Sequence, residues 1–263
     1  MFGDAAAYEG YMGRWSRLLA PLFIDLANIP DGTSILDVGC GTGVLSFAIA
    51  ERRPHCRVVG VDVSQEYVGY AVSKTPPGVQ TQFEVGDAQR LRFASASFDQ
   101  SLALLVFNFI PDSAKAIAET IRVTRPGGSI TAAVWDYGRG MRMLRVFWDA
   151  AGAVDPEAAK IDEKDMPLCS PGELASLWKK AGLTNVEDRP LQITMRFSSF
   201  ADYWDPFLHG QGPAGTYARK TNGAQREALR AELKRRLGVV SENQAFELTA
   251  RAWAARGIVP RPR

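Results

Sequence analysis

The 263 residues are 46% hydrophobic and 23% charged, which suits one large α/β domain with insertions and excludes a disordered or collagen-like chain. A net charge of +2 is too small to argue for nucleic acid by itself. No apolar run approaches the ~18 residues of a membrane span, and Met1 to Ala7 lacks the basic-then-apolar pattern of a secretory signal. Cys40, Cys56 and Cys169 form no CxxC pair and no Cys/His metal spacing, so small buried thiols, no metal and a cytoplasmic setting are expected.

Tyr11, Trp15, Leu18 and Leu22 recur at helical spacing and predict an amphipathic helix, closed by a turn at Pro30-Asp31-Gly32. From Ser34 to Val134 strand and helix alternate. Ile35 to Val38, Arg57 to Val61 and Gln80 to Val85 read as strands. Val44 to Arg53 and Ser64 to Lys74 read as helices, the second capped by Ser64. Phe98 to Val106 is nearly all apolar, as a central parallel strand must be. A helix over Asp112 to Thr124, a turn at Pro126-Gly127-Gly128 and a fifth strand from Ser129 to Trp135 follow. This alternation implies right-handed crossovers and a doubly wound parallel sheet. A short helix around Met143 to Ala151 then precedes a charged stretch, and Pro171 to Ala181 predicts another helix ended by Gly182. Thr184 to Phe197 reads as a long strand bent at Pro190, and residues 198–245 as helices broken at Gly210-Gln211-Gly212-Pro213. Phe246 to Val259 alternates as a final strand, with a loose tail from Pro260.

Leu36-Asp37-Val38-Gly39-Cys40-Gly41-Thr42-Gly43 ends the first strand and opens a helix. Its glycines allow a sharp turn and close ligand approach, and the helix start offers N–H groups to something negative. One strand later, Asp62 can accept hydrogen bonds from both hydroxyls of a ribose. Together these predict a nucleoside ligand at the carboxyl edge of the sheet. Val44 stands where a dinucleotide fingerprint wants its third glycine, and there is no Gly-Lys-Ser/Thr. That argues against a P-loop enzyme and leaves an NAD(P)-dependent oxidoreductase as the rival reading.

Over about residues 34–135 the chain resembles the class I S-adenosylmethionine-dependent methyltransferases. Asp37-x-Gly39-x-Gly41-x-Gly43 is similar to the family's first motif, which packs against the methionine end of the cofactor. Asp62 matches the acidic residue on the ribose, and Val63 would line the adenine. Gly86-Asp87-Ala88 resembles the third-strand motif, in which Asp87 and the Ala88 backbone address the adenine amino group. Phe98-Asp99 and Arg122 to Gly128 resemble the entries to strands four and five. With Tyr11 to Arg17 included, the chain looks most like bacterial small-molecule members related to the ubiquinone and menaquinone methyltransferases. The resemblance implies S-adenosyl-L-methionine as cofactor and S-adenosyl-L-homocysteine as product. It also implies a three-layer α-β-α sandwich with a Rossmann-like, mostly parallel seven-stranded sheet, its last strand antiparallel. One domain is expected over residues 1–263: a core at about 30–197 plus 246–259, and a helical lid from 1–29, 135–170 and 198–245.

Leu105 to Pro111, after strand four, runs beside the sulfonium in related enzymes and is apolar here apart from Asn108. The Asn/Asp-Pro-Pro-aromatic motif of amino-methylating nucleic-acid enzymes is absent, and no cysteine follows a proline. Nucleic acid is thus disfavoured, and a small apolar acceptor is expected. Tyr11, Arg14, Leu105 and Phe107 join the glycine turn as expected cofactor contacts, with Arg14 toward the carboxylate. Asn108, Trp135, Tyr137, Tyr203, Trp204 and Phe207 are the expected acceptor contacts, the rings of Tyr11, Phe107 and Trp135 facing the cation. His209, in the lid, is the candidate general base, whereas His55 reads as a surface residue. Leu229, Leu233 and Leu237 read as a packed stripe beside a solvated basic face of Arg226, Arg230 and Lys234. A non-catalytic S-adenosylmethionine-binding protein is the third reading. No motif fixes the acceptor, the atom methylated or the oligomeric state.

Overall fold

The apolar runs pair as their alternation demands. A computed structural model describes residues 5–261. The expectations for Met1 to Asp4 and for the last two residues of the tail lie outside the described residues. β1 (Ser34–Val38), β2 (Arg57–Asp62), β3 (Thr81–Val85), β4 (Phe98–Leu104) and β5 (Thr124–Trp135) run parallel. β7 (Phe246–Ile258) enters antiparallel between β5 and β6 (Thr184–Phe197). The order β3-β2-β1-β4-β5-β7-β6 gives the mostly parallel seven-stranded Rossmann-like sheet that was expected.

Helices cover this sheet and explain why β1 and β5 are buried along nearly their whole length. A turn of helix, α1 (Ala5–Tyr8), leads through a π-helix at Glu9–Gly13 into α2 (Arg14–Ala27), which lies along β4 to β7 and against α3 (Val44–Arg52). α4 (Gln65–Lys74) packs on β2 and β3, and the Ser64 hydroxyl accepts the Tyr67 N–H at its start (3.2 Å), as the cap requires. α5 (Ser113–Val123) lies on β5. After β5 come α6 (Arg142–Val154), 3-10 turns at Pro156–Ile161 and Glu163–Asp165, and α7 (Glu173–Lys180) against β6 and β7. Between β6 and β7 lie α8 (Phe200–Leu208), α9 (Gly212–Lys220) and α10 (Gly223–Leu237).

Four local expectations change. Along the π-helix and α2 the buried ridge is Tyr11, Trp15, Leu19 and Phe23, while Leu18 and Leu22 are 48% and 39% exposed. They sit one residue, about 100° of helix, off the face that meets the sheet. β4 ends at Leu104 rather than Val106, because Leu105 turns left-handed (φ 65°) and Phe107–Phe109 forms a 3-10 turn. β6 runs unbroken through Pro190, which pairs with Trp253. An edge strand has one neighbour, so a residue without an N–H can be accommodated there; the irregularity lies instead between Thr184 and Glu187. Finally, Pro126-Gly127-Gly128 belongs to β5, with Gly127 at φ 84°. Leu229 and Leu233 are buried as expected, but the basic residues beside them are engaged. Arg230 lies over the Phe200 ring (5.2 Å), and Lys234 pairs with Glu242.

Candidate active site

The glycine turn is built from three left-handed residues with separate jobs. Gly39, Gly41 and Gly43 have φ of 70°, 52° and 89°. The N–H groups of Gly39 and Cys40 donate to the Val61 carbonyl (2.7 and 3.0 Å), which stitches the turn to β2. A β-carbon on Gly39 would strike the Val106 side chain, and one on Gly43 would lie 2.7 Å from Phe47. A β-carbon on Gly41 would meet nothing within 4 Å. The outer glycines therefore serve packing, and Gly41 alone fronts open space.

Gly41 also orients the acid on β2. Its N–H donates to Asp62 Oδ2 (3.0 Å), and the Ser64 N–H donates to Oδ1 (2.9 Å). Each oxygen keeps lone-pair capacity for a ligand hydroxyl. Burial raises the Asp62 carboxyl above its ordinary range. Asp87, exposed at the rim, is steadied by the Gln89 N–H (2.8 Å).

A cavity of about 380 Å³ opens along this carboxyl edge. At one end stand Asp62, Val63, Asp87 and Ala88; Gly39, Gly41 and Leu105 follow; Trp135, the last residue of β5, and Tyr137 just beyond it close the other end. The walls come from the N-terminal segment (Tyr8, Tyr11, Met12), the insertion after β5 (Leu144, Glu163) and the α8–α9 link (Gln211, Gly212, Pro213). No lysine or arginine is among the described residues that line it. Leu105 holds its left-handed backbone there with its N–H on the Ala133 carbonyl (2.7 Å), a strained geometry typical of functional sites.

Ten of the expected site residues line this cavity: Tyr11, Gly39, Gly41, Asp62, Val63, Asp87, Ala88, Leu105, Trp135 and Tyr137. Asp37 lines a side cavity of about 40 Å³ behind the turn, and Gly43 is packed away from both. The Ser46 hydroxyl donates to Asp37 Oδ2 (2.6 Å), while Oδ1 is buried with no partner among the described residues. Burial pushes the Asp37 carboxyl up to about 7.

Seven expectations are corrected. Arg14 faces away from the cavity, donating to Asp202 Oδ1 (2.6 Å) and lying over the Trp15 ring (4.2 Å). It fastens α2 to α8. Phe107 packs edge-on against Trp178 (5.1 Å), because the turn at Leu105 carries it into the core, and Asn108 is buried beside it, off the cavity. Tyr203, Trp204 and Phe207 are core residues that lie off the cavity, the first and last of them binding α8 to α6. The Tyr203 hydroxyl donates to the Met143 carbonyl (2.9 Å), and Phe207 stacks on Phe147 (4.5 Å). His209 caps the end of α8, exposed and outside the cavity, so it is no candidate base. Gln211, expected near the acceptor from its place in the lid, does stand in the wall, and Glu163, absent from the sequence reading, stands there too.

Residues 35–128 match the family model described as a methyltransferase domain. The chain therefore carries a methyltransferase domain similar to those of S-adenosylmethionine-dependent enzymes. It is 36% identical to the 2-methyl-6-phytyl-1,4-hydroquinone methyltransferase of Synechocystis sp. over 124 residues, 47% of this chain and 39% of that one. It is 29% identical to the nocamycin O-methyltransferase of Saccharothrix syringae over 210 residues, 74% of this chain and 75% of that one. The phosphoethanolamine N-methyltransferase 2 of Haemonchus contortus, solved with S-adenosyl-L-methionine, shares the fold. Its TM-score is 0.61 at 16% identity, over 98% of this chain and 57% of that one.

The site of this methyltransferase domain fits that cofactor. Gly41 leaves an open cradle, Asp62 offers two oriented acceptors, and the aromatic wall with no cationic side chain suits a sulfonium. Among the described residues no His/Cys/Asp/Glu group could hold a metal, and no helix is long and apolar enough to cross a membrane.

Proposed function

We propose that this protein transfers a methyl group from S-adenosylmethionine to a small, largely apolar acceptor. The observation that carries this reading is the open cradle at Gly41, tied by its own N–H to Asp62 at the head of the carboxyl-edge cavity. The cofactor supplies an electrophilic methyl group on a positively charged sulfur. The chain supplies position and a dry surround. Asp62 would hold the ribose hydroxyls, and Asp87 with the Ala88 backbone would address the adenine. Tyr11, Trp135 and Tyr137 would face the sulfonium and acceptor, exclude water and align the reacting atoms. The relatives that act on a hydroquinone and on nocamycin support a small-molecule acceptor. On this reading residues 1–263 are one domain, with 1–29, 135–170 and 198–245 as its lid, and the three free, buried cysteines suit a reducing cytoplasm.

Calorimetric titration with S-adenosylmethionine, S-adenosylhomocysteine and NADH tests it. Micromolar binding of the first two is expected, weakened at least about tenfold in Asp62→Ala, since hydrogen bonds to a charged partner contribute about 1.5–3 kcal/mol. Binding of NADH alone would make the oxidoreductase the right reading. Cofactor binding without methyl transfer to any phenol, quinol or amine would favour a non-catalytic binder.

A further inference from the structure

Glu163 is a cavity carboxyl to which the reading above gives no part in holding the cofactor. It stands in the 3-10 turn Glu163–Asp165 of the insertion after β5 and is 8% exposed. The Trp148 indole N–H on α6 donates to its Oε2 (3.0 Å), and the Ala214 N–H on α9 also bonds the carboxyl. Glu163 thus ties the insertion to the start of α9, next to the α8–α9 link. On that link Gln211 lines the same cavity at 6% exposure, its Oε1 without a partner among the described residues. Two hydrogen-bond acceptors therefore stand in the part of the wall that the covering segments supply, among Tyr8, Tyr11, Met12 and Leu144. Glu163 belongs with Tyr137 at the β5 end, whereas the adenosine end lies at β2 and β3 on the reading above.

We infer that Glu163 is the general base of the reaction and that the acceptor is an aromatic hydroxyl, a phenol or hydroquinol, directed at Glu163 and Gln211. The inference rests on the methyltransferase reading above. In the step, the hydroxyl proton passes to the Glu163 carboxylate while an oxygen lone pair bonds the methyl carbon. The bond from that carbon to sulfur breaks, and its electron pair stays on sulfur. A phenol enters an apolar cavity uncharged, and its ring meets those of Tyr11, Phe109 and Trp135. An ammonium would instead be clamped by the carboxylate with its lone pair occupied.

The groups facing Glu163 set when it can act. Burial pushes its carboxyl up to about 7, Arg145 of α6 pulls it down, and Asp162 raises it. Tyr11, Tyr137 and Cys169 also feel its charge, and burial lifts all three above their ordinary values. The carboxylate form therefore appears as pH rises through neutrality, the range that suits a base.

The test uses protein loaded with S-adenosylhomocysteine and titrated with 1-naphthol across pH. Binding should strengthen about tenfold from pH 6 to 8 as Glu163 ionises, and that dependence should vanish in Glu163→Gln while homocysteine-product affinity is unchanged. At pH 8, methylation of 1-naphthol should fall on the order of 10²–10⁴-fold in Glu163→Gln, and much less for 4-nitrophenol, which is largely ionised at that pH without help. A variant with the wild-type pH profile, or loaded protein that binds no phenol, overturns the inference. Failure of S-adenosylhomocysteine itself to bind would instead overturn the reading beneath it.

Discussion

Asp37 keeps its carboxyl at 1% exposure, with one oxygen on Ser46 and the other without a partner among the described residues. Its folded value of about 7 lies above the ordinary 3.8, so the folded chain holds the proton more tightly than the unfolded one. This group's contribution is therefore best at low pH, declines as pH rises from about 4 to 7, and above that leaves an ionised, buried carboxyl. Asp37→Asn should raise stability by about 1–3 kcal/mol at pH 8 and by little at pH 4. Thermal melts at both pH values measure this; an unchanged melt at pH 8 would mean that the ionised group is satisfied. Asp37, Gly41, Asp62 and Asp87 were legible because strand, turn and helix place them in local order. Glu163 was not, since it is one acid in the charged run Asp162-Glu163-Lys164-Asp165 and becomes a wall residue only through α6 and α9. Tyr203, Trp204 and Phe207 misled because helical spacing looks the same whether a ring faces a ligand or the core.

The π-helix Glu9–Gly13 is the element that joins the N-terminal segment to the glycine turn. The Thr42 hydroxyl donates to Glu9, Arg17 pairs with Glu9, and Tyr11 from the same turn lines the cavity. π-turns of this kind recur at functional sites. Thr42→Val keeps the shape and removes the donor. It should cost about 0.5–1.5 kcal/mol and speed amide exchange over residues 5–13 relative to the sheet. Exchange that is uniform across the chain would show that the segment does not hang on this contact. The strands of the parallel half were readable from their apolar runs, and Ser64 announced its helix. The face of α2 was not, because Leu18 and Leu22 are as apolar as Leu19 and Phe23, and only contact with the sheet and α3 decides between them. The left-handed turn at Leu105 was equally hidden, leucine being a residue that rarely adopts it.

At the scale of the whole molecule, the cavity is walled by segments that are distant in sequence and joined through the sheet. S-adenosylhomocysteine at about 100 times its Kd should stabilise the fold by about 2.7 kcal/mol. Amide protection should then rise together over residues 5–13, 135–170 and 208–213, as well as at the glycine turn. Protection confined to residues 39–64 would mean that the covering segments act independently of the ligand. The strand order has a further consequence, for the chain as it is being made. β7 is the last strand in sequence yet lies inside the sheet, between β5 and β6. Until residues 246–258 have left the ribosome, β5 keeps a bare edge and β6 has nothing to dock on. Bare edges pair readily with other chains. The growing polypeptide therefore carries its greatest aggregation hazard just before synthesis of β7 is complete, and the final strand is the one that closes it.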